Sequence, residues 1–347
     1  MRKKPHTHFF HTRKILLVAL TLFSFFYSDF LKAQICQPAA AGPNQTVCVS
    51  TPTALMAANT ATGVGVGKWT LTSGGGIITN SLIPNTTITG MPVGANVFAW
   101  TITSGTCVPS VSNVTITVNA LPSVASAGAN QTVCVTAGAT MAAQSPTVGT
   151  GLWSVSAGTG VFTTPTSSIT PVTGLSVGNN IYNWTISNAP CVPSIRSVTI
   201  TATAPPTLAN AGANQTICIS TGSTTMAGNV PGVGVGRWIK VSGVGVITNS
   251  LLANTTITGL AAAGTSVFTW SITNAPCAAS TSNMTITTNA LPTVANAGAS
   301  QTICVTTGST TMAGNVPAVG IGKWIKVSGL GVITNSDRKS TRLNSSH

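Results

Sequence analysis

Phe98-Ala-Trp-Thr-Ile102, Tyr182-Asn-Trp-Thr-Ile186 and Phe268-Thr-Trp-Ser-Ile272 are one segment written three times. In each, an aromatic residue, a Trp and an Ile alternate with small or polar residues. That period of two places three large apolar side chains on one face of a β-strand and leaves the other face polar. Upstream of them, Asn44-Gln-Thr-Val-Cys48 returns as Asn130 to Cys134, as Asn214-Gln-Thr-Ile-Cys218 and as Ser300-Gln-Thr-Ile-Cys304. A period of about 85 residues is one whole domain per repeat, too long for a coil of a solenoid.

Within each copy a first Trp follows the first Cys at a nearly constant distance (Trp69, Trp153, Trp238, Trp324). A second Trp follows the first at an equally constant distance (Trp100, Trp184, Trp270). The stretches between Gly, Asn and Pro turn signals are rich in Thr, Val and Ile. In the third copy they predict strands at residues 215–219, 224–227, 237–241, 245–248, 255–258, 268–272 and 284–288. Seven short strands without a helical period predict an all-β chain of tandem immunoglobulin-like β-sandwich modules of about 85 residues. Sandwich cores use Trp at fixed strand positions, so all seven tryptophans are expected in cores; a sugar-stacking platform is the alternative. Tyr182 falls where Phe98 and Phe268 fall, and the same expectation covers it. One detail departs from the alternation: Trp238-Ile-Lys240 and Trp324-Ile-Lys326 place a Lys on the Trp face. A β-bulge, or a Lys stem lying along a sheet edge with its ammonium in water, accommodates it.

The second cysteine of each copy stands seven positions after the second Trp: Cys107, Cys191 and Cys277. Two cysteines per module in an exported β protein predict disulfides, expected within modules as Cys48 with Cys107, Cys134 with Cys191, and Cys218 with Cys277. Each would close a loop of roughly 60 residues, for which chain entropy gives roughly 4 kcal/mol. Cys36 has no counterpart in the period and is left over; lipid attachment to it is an alternative.

Export is read from the segment 1–33. Arg2, Lys3, Lys4, Arg13 and Lys14 precede an apolar run from Ile15 to Tyr27, the layout of a secretory signal peptide. The run is shorter than the ~20 residues of a membrane span, so no span is expected once the leader is removed. The chain carries a net charge of +13, but residues 34–336 hold only Lys68, Arg196, Arg237, Lys240, Lys323 and Lys326. Scattered single cations cannot displace counterions together, which argues against a nucleic-acid partner. The same span has no Asp, Glu or His. Acid-base catalysis, glycoside hydrolysis by paired carboxylates, a Ser-His-Asp triad and carboxylate-built calcium sites therefore lack their residues. No catalytic, metal or cofactor site is expected.

The joints are Ala120-Leu-Pro-Ser-Val-Ala-Ser-Ala-Gly128, Ala204-Pro-Pro-Thr-Leu-Ala-Asn-Ala-Gly212 and Ala290-Leu-Pro-Thr-Val-Ala-Asn-Ala-Gly298. Proline limits their freedom, so an extended, semi-stiff array is expected. Boundaries fall at 34–122, 123–206, 207–292 and 293–336. The fourth copy follows the third up to Gly331-Val-Ile-Thr-Asn-Ser336 and then departs. Asp337-Arg-Lys-Ser-Thr-Arg-Leu343 brings four charges into a module type almost free of them. Residues 337–347 are expected to be foreign sequence, with the fourth module short of its last three strands and unstable alone.

Ala-Gly-x-Asn-Gln-Thr-Val/Ile-Cys, Gly-x-Gly-Lys/Arg-Trp and Trp-Thr-Ile-x-Asn-Ala-Pro-Cys together resemble the PKD-like and Ig-like repeats of secreted Bacteroidota surface proteins, over residues 41–336. The Trp-Asp-Phe-Gly-Asp-Gly signature of PKD repeats is absent. The resemblance implies a cell-surface or released, adhesin-like product of the gliding-motility or type IX secretion kind. A structural or adhesive repeat region is the leading expectation, its ligand a glycan or another cell-surface protein. A carbohydrate-binding array and accessory repeats of a secreted enzyme are the alternatives.

Overall fold

The computed structural model describes Met1, residues 36–334 and the backbone of Thr341–Asn344. The expected leader therefore lies outside the described residues. The architecture is all-β, with three complete tandem immunoglobulin-like sandwiches. The first repeat contains β1 (Gln45–Cys48), β2 (Ala54–Leu55), β3 (Val66–Ser73), β4 (Ile77–Ile78), β5 (Thr87–Thr89), β6 (Gly94–Thr103) and β7 (Ser110–Asn119). The second contains β8 (Gln131–Cys134), β9 (Ala139–Ala142), β10 (Thr150–Ala157), β11 (Val161–Phe162), β12 (Ile169–Thr173), β13 (Gly178–Ser187) and β14 (Ser194–Thr203). The third contains β15 (Gln215–Cys218), β16 (Thr224–Thr225), β17 (Val235–Ser242), β18 (Val246–Ile247), β19 (Thr256–Thr258), β20 (Gly264–Asn274) and β21 (Cys277–Asn289).

Each complete repeat packs a four-stranded sheet on a three-stranded one. In the first these are β1-β7-β6-β3 and β2-β5-β4, and the other two repeats keep the order. The long strands β6 and β7 pair antiparallel along almost their whole length, whereas β1 runs parallel to β7 with Cys48 opposite Asn119. That single parallel pair decides where the cysteines lie.

The alternating strands put their apolar faces inward. Trp69, Trp100, Trp153, Trp184, Trp238 and Trp270 are all buried, as are Phe98, Tyr182 and Phe268 at the position two before the second Trp. The two indoles of a repeat face each other across neighbouring strands, with centroids 5.1 Å apart in all three sandwiches. The second indole lies directly on a glycine. A Cβ on Gly67, Gly151 or Gly236 would stand 2.1, 2.0 or 2.2 Å from Cζ2 of Trp100, Trp184 or Trp270. Any side chain there would drive the indole out of its place, which accounts for Gly two positions before the first Trp.

The Lys on the Trp face has a simple place. The register shifts between Lys240 and Ser242, and equally between Leu71 and Ser73 and between Val155 and Ala157. The bulge is therefore common to the fold and not a response to Lys. Leu71 and Val155 at that position are already 43% and 42% exposed, so Lys240 buries no charge, and its Nζ donates to the Gly245 carbonyl at 3.2 Å.

Comparison between repeats exposes two local defects among the described residues. One is the unpaired Trp153 Nε1 in the second repeat, whose counterparts Trp69 and Trp238 donate to carbonyls, and the other is Thr288 in the third. Thr288 is 2% exposed and its hydroxyl has no hydrogen-bond partner, while the same register position holds Val118 in the first repeat and Ala202 in the second. A buried hydroxyl without a partner costs about 1–3 kcal/mol. Thr288→Val, nearly isosteric, should raise the stability of the third repeat by about 1 kcal/mol in denaturant unfolding. An unchanged or lowered midpoint would show that the hydroxyl is satisfied in solution.

The fourth repeat differs in kind. Its three-stranded sheet is built from β22 (Ser309–Met312), β23 (Val332–Ile333) and β24 (Thr341–Asn344), in the order β22-β24-β23. The backbone of β24, inside the segment expected to be foreign, takes the central place that β19 holds in the third repeat. No four-stranded sheet forms here among the described residues: Gln301–Cys304 and residues 321–327 are not strands. Their equivalents β15 and β17 are held by β21 and β20, and the described residues of the fourth repeat hold no counterparts of β20 and β21. Trp324 is accordingly only partly buried, which departs from the core position expected for it.

Candidate functional site: the joints between repeats

The disulfides are Cys36–Cys107, Cys48–Cys191 and Cys134–Cys277, while Cys218 and Cys304 are free thiols. This overturns the expected pairings Cys48–Cys107, Cys134–Cys191 and Cys218–Cys277. The reason is topological. Cys48 lies beside Asn119, at the end where β7 leaves the repeat, and Cys107 lies in the turn where β7 begins. The length of β7 separates those ends by about 30 Å, and a disulfide needs Cα atoms within ~7 Å. The first cysteine of one repeat instead meets the second cysteine of the next, with Cα–Cα distances of 4.9 and 4.8 Å.

Cys36 has a role in this scheme. Cys107, in the first of the described repeats, takes its partner from the segment leading into β1. The sequence held one signal for the true pattern. Pairing within repeats leaves Cys36 over, whereas pairing between repeats requires a cysteine ahead of the first one.

The joint itself is stitched by Asn side chains that sequence reasoning missed. Asn119 Nδ2 donates to the Ala189 carbonyl at 2.5 Å, and Asn188 Nδ2 donates back to that of Ala120 at 2.8 Å. At the next joint Asn274 Nδ2 donates to the Ala204 carbonyl at 2.7 Å. Cys48, Cys191 and Cys277 are buried there. The joint segments belong structurally to the repeat that follows. Ala125 and Ala127 sit in the second core with Met141 and Trp184, and Ala209 and Ala211 sit in the third. The Ala125 amide donates to Ser194 Oγ, the Thr199 amide to Asn130 Oδ1, and the Ser123 amide to the Val148 carbonyl. From β7 through the joint into β8 the chain therefore runs along β14 and pairs parallel with its second half.

A two-rail geometry follows. The segments Cys107 to Cys134, Cys191 to Cys218 and Cys277 to Cys304 are equal in length and largely extended. Each starts at the entry end of one repeat and finishes at the exit end of the next. Disulfides then join segment to segment: Cys36–Cys107 through Cys134–Cys277 makes one rail. The other runs from Cys36 to Cys48, across to Cys191 and on to Cys218. At the first two joints an S–S bond lies in parallel with the peptide chain.

Cys218 occupies, in the third repeat, the position of Cys48 and Cys134. Its thiol pKa is lowered, first by a side-chain hydrogen bond with Ser220, and Cys304 is lowered in the same way by Thr306. Among the described residues no group of three or more His, Cys, Asp or Glu could hold a metal ion, and no helix is long and apolar enough to cross a membrane.

No protein-family model and no curated protein matches the sequence. Among solved structures, an E-to-A variant of titin domains I67–I69 is similar at 14% identity and a TM-score of 0.45, over 72% of this chain and 98% of that one. Extracellular domains 3–5 of Drosophila OTK are similar at 10% identity and 0.35, over 74% and 96%. Immunoglobulin domains 1–5 of Sidekick-1 are similar at 12% identity and 0.36, over 73% and 58%.

Proposed function

We propose that this chain is a non-catalytic, tension-carrying repeat region of a secreted or cell-surface protein, a structural or adhesive stalk with modules at 34–122, 123–206, 207–292 and 293–336. The observation that carries the reading is the disulfide that joins the first repeat to the second and the one that joins the second to the third. A disulfide placed for folding stability alone would serve equally well inside a sandwich. One that spans the joint transmits force past it, as at the first two joints. Disulfides of this kind belong to oxidising compartments outside the cytoplasm. The absence of Asp, Glu and His from residues 34–336 supports the non-catalytic part of the reading. The burial of six of the seven indoles leaves few aromatics for stacking on sugars, which favours a stalk over a carbohydrate-binding array.

Non-reducing peptide mapping of the exported protein tests the carrying observation. It should recover Cys48 with Cys191, Cys134 with Cys277 and Cys36 with Cys107. Recovery of Cys48 with Cys107 would remove the rails, and with them the case for a tension-carrying stalk.

A further inference from the structure

None of the three disulfides joins cysteines that are neighbours in the sequence. Cys36–Cys107 passes over Cys48, Cys48–Cys191 passes over Cys107 and Cys134, and Cys134–Cys277 passes over Cys191 and Cys218. The bonded pairs are 71, 143 and 143 residues apart. Cys36 and Cys48 enclose only about 12 residues, and Cys107 and Cys134 about 27. Loop closure in an unfolded chain weakens as the 3/2 power of loop length, so Cys48 meets Cys36 roughly fortyfold more often than it meets Cys191. By the same scaling Cys107 meets Cys134 roughly fourfold more often than it meets Cys36.

Neither neighbour pair fits the fold. Cys36 is held at the end of the first sandwich where β7 begins, and Cys48 lies at the other end beside Asn119. A bond between them needs Cα atoms within ~7 Å, and about 30 Å of β7 separates those ends. A Cys107–Cys134 bond would fold back the segment that runs as β7, joint and β8.

The topology also opens the time in which these pairs form. β1 is the first strand of its repeat and pairs with β7, the last, and β8 pairs with β14 in the same way. A chain that emerges at ~5–20 residues per second delivers Asn119, the register partner of Cys48, roughly 4–14 s after Cys48 itself. Cys191 stands 143 residues beyond Cys48, so it follows roughly 7–29 s later at the same rate. The four-stranded sheet of the first repeat cannot close before β7 arrives, while Cys36 and Cys48 are both already out.

We propose that this chain is a client of a thiol–disulfide isomerase, which opens the neighbour bonds Cys36–Cys48 and Cys107–Cys134 and lets the fold select the native pairs. The neighbour bonds are made by the thiol oxidase of an oxidising compartment, and the isomerisation itself is redox-neutral. The isomerase thiolate attacks Cys36 of a Cys36–Cys48 bond, that bond breaks, and Cys48 leaves as thiolate with the electron pair. The Cys107 thiol then gives its proton to solvent and its sulfur attacks Cys36. Cys36–Cys107 forms and the isomerase thiolate is released. Docking of the repeats gives the exchange its direction, because Cys48, Cys191 and Cys277 become buried at the joints and are shielded from further attack.

The test directs the full chain, with Cys218→Ser and Cys304→Ser so that only the six bonded cysteines compete, to the periplasm of a bacterial host that has or lacks its disulfide isomerase. Thiols are alkylated at harvest and the pairs are mapped without reduction. Loss of the isomerase should lower Cys48–Cys191 at least about tenfold, in line with the loop-length bias, with Cys36–Cys48 and Cys107–Cys134 in its place. Purified isomerase with its active-site dithiol reduced, added to the mispaired protein, should restore Cys36–Cys107, Cys48–Cys191 and Cys134–Cys277. Equal native pairing in the two hosts, mispairing without the neighbour bonds, or no restoration by the isomerase would each overturn the proposal.

Discussion

Stretched between Cys36 and Cys277 with its disulfides intact, the array should show no module-unfolding steps at all. The shortest covalent path between those residues crosses Cys36–Cys107, follows the chain from Cys107 to Cys134 and crosses to Cys277. At ~3.3–3.6 Å for each of about 27 residues, that path reaches roughly 95 Å when fully extended. In the folded array it already runs through β7, the joint and β8, so little slack remains to be drawn out. Without the disulfides the same two anchors are separated by about 240 residues, and the limit rises to roughly 800 Å. Single-molecule pulling in a reductant should therefore add several hundred ångströms, released in steps of one repeat, that are absent under oxidising conditions. The variant Cys134→Ser opens one rail and should transfer tension to the other, whose path from Cys36 to Cys48 and from Cys191 onward is longer. Unfolding steps of full module length in the oxidised wild type would show that the rails do not carry the load.

The second large effect is at Trp184. Its side chain is fully buried, lies 5.1 Å from Trp153 between ring centroids, rests on Gly151 and donates from Nε1 to the Gln144 carbonyl at 3.2 Å. Trp184→Ala removes the packing, opens a cavity over a glycine that cannot fill it and leaves that carbonyl unpaired. A loss of about 3–5 kcal/mol from the second repeat is expected. Because Cys48–Cys191 and Cys134–Cys277 tie this repeat to both neighbours, the loss should appear as local exchange within residues 131–203 before it appears in the first or third repeat. Hydrogen exchange read repeat by repeat checks this. Wild-type protection in the second repeat together with loss of a glycan ligand would place Trp184 in a binding surface instead.

The strands were legible because each is a local pattern. Phe268-Thr-Trp-Ser-Ile272 alternates by itself, needs no partner to be read as a strand, and lies within β20. Near-copies at a fixed period added the module, since every position could be checked against its counterparts. The buried ties of Asn96 and Asn180 were not legible. An Asn in the middle of an apolar strand reads as an interruption, yet Asn180 Nδ2 donates to the Ser176, Gly178 and Ile200 carbonyls and its Oδ1 accepts from the Thr159 amide. The expectation of a core Trp at Trp324 failed for the opposite reason. Its local pattern is intact, but burial depends on a partner strand and a second indole that the described residues of the fourth repeat do not supply.

Sequence alone determined the period, the strands and the inward-facing tryptophans of the complete repeats, because those follow from alternation and spacing along one strand at a time, whereas the stacking of the second indole on a glycine is a contact between strands. It also determined that the repeats lack the side chains of acid-base chemistry. The tertiary structure alone decided which cysteine meets which. Spacing fits pairing within a repeat and pairing between repeats equally well, and the choice rests on β1 running parallel to β7. That one strand direction puts the two cysteines of a repeat at opposite ends of the sandwich, and turns a set of internal staples into cross-links that join the three complete repeats.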